Sequence, residues 1–257
     1  MAAGKEAVDA RSPIEIRPLT QSEELVEAVR LQRQIWGFAD IDLLPYRLFV
    51  VATKVGGQLL GAFDAGRMIG FCLAIPGLKG GGRYYLHSHM TGVLEAYQGR
   101  GVGRLLKLAQ RREALERGID LIEWTFDPLE IGNAYFNLAR LGAVVRRFVE
   151  NQYGKSSSPL HGSLPTDRCV AEWWIASPRV AALVEGKAPP AAPVEARIAV
   201  PQAITAWKKD EVRKAREVQT KVREEFQHWL GHGLAATGFA ATPETGTYLL
   251  SRWEGPA

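Results

Sequence analysis

The densest chemical signal in the chain lies between Val93 and Leu106, where Gln98-Gly99-Arg100-Gly101-Val102-Gly103-Arg104 follows an alternating apolar run and opens a helical pattern. Glycines let a backbone approach a ligand closely, and the free amides and dipole at a helix start favour anionic oxygens. The pattern predicts a pyrophosphate-binding turn. A nucleotide P-loop is excluded, because the chain's Gly-Lys-Ser, Gly154 to Ser156, has Val149 where the leading glycine belongs. A dinucleotide fingerprint is excluded too, since Arg104 stands where the third glycine is needed.

Upstream of the turn, His87 and His89 are two residues apart in a strand pattern, which predicts one shared face with Thr91 and Val93. Such histidines serve equally as hydrogen-bonded sheet residues or as bases. Glu123, in the next apolar run, is a second candidate base or a paired structural acid. His228 and His232 lack a nearby Glu and a third ligand, so no metal site is expected. There is no G-x-S-x-G elbow, and Cys72 and Cys169 have no local activating cation.

These residues need elements to position them. Ile14 to Arg17 predicts a first strand, and Thr20 with Glu23 a capping box for a helix ending at Gly37. A helix over 44–55, a hairpin of 58–64 and 67–75 joined by Ala65-Gly66, and a strand over 84–94 follow. Next come a helix over 101–117, a strand over 120–126, a helix over 131–141 closed by Gly142, and strands over 144–151 and 168–175. Beyond a Pro/Ala-rich stretch, a strand over 197–200, a long amphipathic helix from Trp207 to Trp229 and two further apolar segments are expected.

Gln98, Gly101 and Gly103 match the Gln/Arg-x-x-Gly-x-Gly/Ala signature of the GCN5-related N-acetyltransferases (GNAT), and the chain resembles that superfamily over about 13–176. Asn133 to Ala143 is similar to its fourth helix. His87-Ser88-His89-Met90, Trp124 to Pro128 and Pro165 to Arg168 resemble a bacterial acyltransferase subgroup. The resemblance implies an α/β (mixed α+β) fold, with a central, mostly antiparallel twisted sheet and helices on both faces. It implies acetyl-CoA or another acyl-CoA as co-substrate, held by Gln98, Gly99, Arg100, Gly101, Val102, Gly103 and Arg104. Val93 would pair with pantetheine, Asn133 would lie beside it, and Arg100, Arg104 and Lys107 would meet phosphates.

The implied chemistry is attack of an amine on the thioester, with an acetyl or succinyl donor. It needs a proton acceptor, an oxyanion donor and a group for the leaving thiolate. His89, nearest the turn, is the first candidate base, with His87 and Glu123 as alternatives. The family's usual acid, a Tyr four residues before the helix-terminal Gly, is replaced by Leu138, leaving Tyr135, Tyr153 or water. The expected acceptor is the amine of a small molecule such as an amino acid. A protein N-acetyltransferase and a non-catalytic acyl-CoA sensor are the alternatives.

Composition agrees with a protein that can bury a core: 257 residues, 46% hydrophobic, 23% charged, seven Trp. No apolar stretch is long enough to span a bilayer, and the charged N-terminus is unlike a signal peptide. Two cysteines in apolar runs point to a reducing cytoplasm. The segment 97–117 carries six bases and two acids, equal to the whole net charge of +4, with Arg100, Arg104, Lys107 and Arg111 predicted on one helix face. Nucleic acid is a minor option as partner, no membrane is expected, and a homodimer is allowed. The expected organisation is a tail (1–12), an acyltransferase domain (13–180), a linker (181–196) and a C-terminal α/β extension (197–257) docked on the main sheet.

Overall fold

Ala65 and Gly66 both take positive φ, 47° and 80°, the conformation a two-residue hairpin turn requires. They join β2 (Gln58–Asp64) to β3 (Arg67–Leu78), the hairpin that starts the sheet. A computed structural model describes residues 13–154, 164–190 and 192–255, so the expected tail 1–12 lies outside the described residues. Before the hairpin come β1 (Glu15–Pro18), α1 (Ser22–Trp36) and α2 (Tyr46–Lys54). After it come β4 (Tyr84–Val93), α3 (Val102–Glu116), β5 (Leu121–Phe126), α4 (Ile131–Ala134, continuing as a π-turn over Tyr135–Arg140), β6 (Val144–Val149), β7 (Arg168–Trp174) and α5 (Pro178–Val184). The remainder forms β8 (Ala196–Pro201), α6 (Ile204–Asp210), α7 (Val212–Gly231), β9 (Leu234–Ala241) and β10 (Thr245–Arg252).

All ten strands form one sheet in the order β1-β2-β3-β4-β5-β7-β6-β9-β10-β8. Every neighbouring pair is antiparallel except β4 and β5. Helices α1 and α2 cover one face of β2–β4 through Leu25, Leu31, Phe49, Phe71 and Leu73. Helix α3 covers the other face through Val102 and Leu106, which pack with Leu60, Ile69 and Cys72. The result is the mixed α/β sheet with helices on both faces.

The last 60 residues continue the same sheet and the same core. β9 pairs with β6 at Val145–Ala236, and α7 lays Ala215, Val222 and Phe226 on the face already holding Trp124, Trp173 and Leu138. Phe226 stacks on Phe148 at 5.4 Å and meets Tyr248 edge-on at 4.9 Å. Polar ties fix the connection after β5: Tyr248 Oη donates to the Pro128 carbonyl (2.8 Å), and Lys208 reaches Asp127 (2.9 Å) and Glu130 (2.7 Å). Arg223 ties α7 to Asp167 at 2.9 Å.

Three local expectations need correction. The α1 cap is one residue later, because the Glu24 carboxylate, not that of Glu23, accepts from the amides of Thr20 and Gln21. The long C-terminal helix is two, broken where Glu211 leaves the helical region at φ −134°, ψ 58°. The boundary at 180/181 falls inside α5, since Ser177 caps that helix and Pro178 begins it, so irregular backbone starts only after Val184.

Candidate active site

The parallel pair β4–β5 is joined at only two positions, Leu86–Ile122 and His87–Glu123, and the strands part beyond them. On the other edge of β4 the register slips: Ser88 faces Ala74 and Met90 faces Leu73, so His89 has no partner on β3. This β-bulge overturns the expected common face. His87 and Met90 lie toward α1 and α2, whereas Ser88, Thr91 and Val93 lie toward α3; Met90 packs with the Phe49 cluster and Val93 with Val102. His89, at the bulge, stays beside His87, with ring centroids 6.0 Å apart. Burial lowers the pKa of His87, with His89 adding to the effect, and burial alone lowers that of His89. Both are therefore predominantly neutral imidazoles at pH 7, able to accept a proton.

Next to His87 the sheet face is unusually charged. Glu123 is buried, and its Oε1 accepts from Lys79 and from Arg147 (2.6 Å). Arg147 also meets Glu172 (3.3 Å), which is the cross-strand partner of Glu123 and pairs in turn with Arg146 (2.6 Å). Two buried carboxylates thus carry three cations, of which Arg147 keeps a half-exposed side chain (49%). Glu123 matches the paired structural acid rather than a free base. Tyr85 shares this face, its pKa raised by burial and by Glu123. Tyr153 Oη lies 3.1 Å from Thr125 Oγ1 on β5, with Arg168 over its ring.

At the far end of β4 the glycine turn has the expected backbone. Gly99 and Gly101 take φ +72° and +81°, and no atom lies within 4 Å of a Cβ built on either. Gly101 is the N-cap of α3, with no side chain bound to the helix start, so the cradle fits an anionic diphosphate. Gln98 Nε2 donates to the Val93 carbonyl at 3.1 Å, holding the turn against the strand. The expected basic face disperses. Arg100 remains exposed, stacked on Tyr97 at 4.6 Å, but Arg104 donates to the carbonyls of Leu183 and Val184 at the end of α5. Arg111 binds the Ile175 carbonyl (2.8 Å), and Lys107 turns into the core. Of these four bases, only Arg100 is exposed.

Asn133 is exposed on α4, and Phe136 of the following π-turn comes 4.0 Å from a Cβ on Gly103, so α4 borders the α3 start. Leu138 is wholly buried in the core and cannot donate a proton, while Tyr135 is exposed. Lys79, Tyr85 and Glu172 escaped the sequence reading, and Arg147 is a base that the sequence alone does not place. Glu172 alone left a legible signal, a charge inside the otherwise apolar strand Arg168–Trp174, because a buried charge requires a partner. Among the described residues no group of three or more His, Cys, Asp or Glu could hold a metal, and no helix is long and apolar enough to cross a membrane.

Residues 23–136 match the acetyltransferase (GNAT) family. No curated protein matches the chain. Among solved structures, it is similar to Arabidopsis thaliana NAA60 in complex with acetyl-CoA, at 16% identity over 63% of this chain and 99% of that one, TM-score 0.51. The same protein in complex with a bisubstrate analogue gives 15% identity, 63% and 98% coverage, TM-score 0.52. The ribosomal-protein-S18-alanine N-acetyltransferase of Escherichia coli gives 16% identity, 64% and 96% coverage, TM-score 0.50. Likeness at this identity establishes the fold.

Proposed function

We propose that the chain, whose residues 23–136 match the acetyltransferase (GNAT) family, transfers an acetyl or succinyl group from CoA to the amine of a small molecule, by direct attack in a ternary complex. One observation carries this reading: β4 loses its pairing with β5 just after His87, beside His89, and runs on to the turn that leads into the uncapped start of α3. The amides after Gly101 would hold the diphosphate, and Arg100 would add charge. CoA would supply the activated acyl carbon along β4, next to His89, which has no register partner on β3. Neutral His87 or His89 would take the proton of the acceptor ammonium, which frees the lone pair for attack.

An amino acid is the favoured acceptor class. The charged face beside His87 carries one more cation than carboxylates, and the exposed half of Arg147 can meet a carboxylate on the acceptor. Calorimetric titration of acetyl-CoA and succinyl-CoA tests the cofactor, using wild type and a Gly101→Asp, Gly103→Asp double variant checked to be folded. The variant places negative charge where the diphosphate belongs, and at least tenfold weaker binding is expected. Thiol release across a panel of amines then tests the acceptor. Failure of the wild type to bind either thioester would refute the reading.

A further inference from the structure

Lys107 is buried at 3% exposure, yet no carboxylate of the described residues lies within ion-pair distance of it. Its Nζ donates to Ser88 Oγ (2.8 Å) and Gln110 Oε1 (2.9 Å), and lies 3.7 Å from the centroid of the Trp124 ring and 5.8 Å from that of Trp173. A buried ammonium with neutral partners only is costly to maintain. Its location is specific. His87 and Glu123 are the last paired residues of β4 and β5, and Ser88 and Trp124 are the next residue on each strand. The ammonium therefore bridges the two strands where they begin to part, on the α3 side.

Other groups around it leave the charge uncompensated. From β3, the Cys72 thiol is pushed by burial up to about 12 and stays neutral; from β2, Gln58 offers an amide; from β7, Trp173 offers a ring. His87 acts on Lys107 through the sheet, Glu123 faces the opposite side with Lys79 and Arg147, and Glu113 lies further along α3. Burial lowers the Lys107 pKa to about 7, so an arriving anion would favour the protonated form.

Resting on the acyltransferase reading, we propose that Lys107 is the counter-charge for the CoA sulfur at the closed end of the split. As the acceptor nitrogen bonds to the acyl carbon, the C–S bond breaks and its electron pair leaves on sulfur. The acceptor ammonium's first proton has by then left through the histidine base to solvent, the second, shed as the C–N bond forms, passes to the same base, and Lys107 keeps its own proton and neutralises the thiolate. This gives the leaving group a partner in a chain whose Leu138 cannot serve.

The test follows thiolate ultraviolet absorbance of enzyme-bound CoA against pH, in wild type and Lys107→Met. In wild type the bound thiol is expected to ionise about tenfold more readily than free CoA titrated in the same buffer. Lys107→Met is expected to abolish this gain and to lower kcat about 100-fold, with KM for acetyl-CoA changed far less. Unchanged thiol ionisation in a variant that still binds CoA would overturn the proposal and leave the acyltransferase reading intact. If the variant does not fold, wild type alone decides: at pH 8, CoA must bind several-fold more tightly than desulfo-CoA, and equal affinity overturns the counter-charge. Absence of acetyl-CoA binding by wild type would instead defeat the acyltransferase reading itself.

Discussion

Replacing Lys107 with Met is expected to change the pH dependence of stability as well as turnover. Burial lowers this ammonium from 10.5 to about 7, so the folded chain releases its proton before the unfolded chain does. Between those values the unfolded state binds more protons. Wild-type stability is therefore fully present above 10.5 and is lost as pH falls toward 7. At about 1.4 kcal/mol per pKa unit, the whole window is worth on the order of 5 kcal/mol, of which about 2 kcal/mol falls between pH 7 and 9. The group is fully enclosed, so solvent screening takes little from this figure. Losing the bonds to Ser88 and Gln110 and the contact with Trp124 offsets the two proteins without producing that slope. The assay is urea and thermal unfolding of both proteins from pH 7 to 9. Relative to Lys107→Met, wild type is expected to gain about 2 kcal/mol, or roughly 4–8 °C in Tm, across that range. Parallel curves would refute the reasoning, because they would mean that the ammonium is hydrated or paired in solution.

Lys208→Met is expected to destabilise the chain by about 3 kcal/mol in urea unfolding, since it leaves Asp127 and Glu130 without their shared cation. Burial acts to lower the Lys208 pKa, but Asp127 and Glu130 raise it overall, so its contribution is present below 10.5 and disappears as pH rises through the higher folded value. His87→Asn is expected to lower kcat about 100-fold if His87 is the base. The acid limb of wild-type kcat/KM is then expected below the ordinary histidine value of 6.5, because burial, and after it His89, lowers the His87 pKa. A limb unmoved by His89→Asn, which removes one of those causes, would point to a different base.

Periodicity made most elements legible. The Ala65-Gly66 hairpin, the strand ending at Val93 and the helix beginning after Gly101 all depend on neighbours within a few residues, where turn chemistry and apolar spacing act directly. The same spacing misled beyond His89, where Thr91 and Val93 turn to the face opposite His87, because alternation assumes an unbroken ladder and a bulge is decided by the partner strand. It also misled over the basic helix face. Arg104 and Arg111 bind carbonyls of α5 and of Ile175 just beyond β7, roughly 65 to 80 residues away in the chain, a relation that no local pattern encodes.

What the sequence determined by itself is the glycine turn and the bare helix start that follows it, because these reside in consecutive backbone amides and in glycines free to adopt positive φ. Tertiary structure alone decided which charges are available for chemistry. Glu123 meets Glu172, Lys79 and Arg147 only when β5, β6 and β7 are side by side, and Lys107 becomes a buried cation only when α3 closes beneath β4 and β5. A charge's cost and reactivity are set by the dielectric and by the partners around it, and the folded contacts supply both.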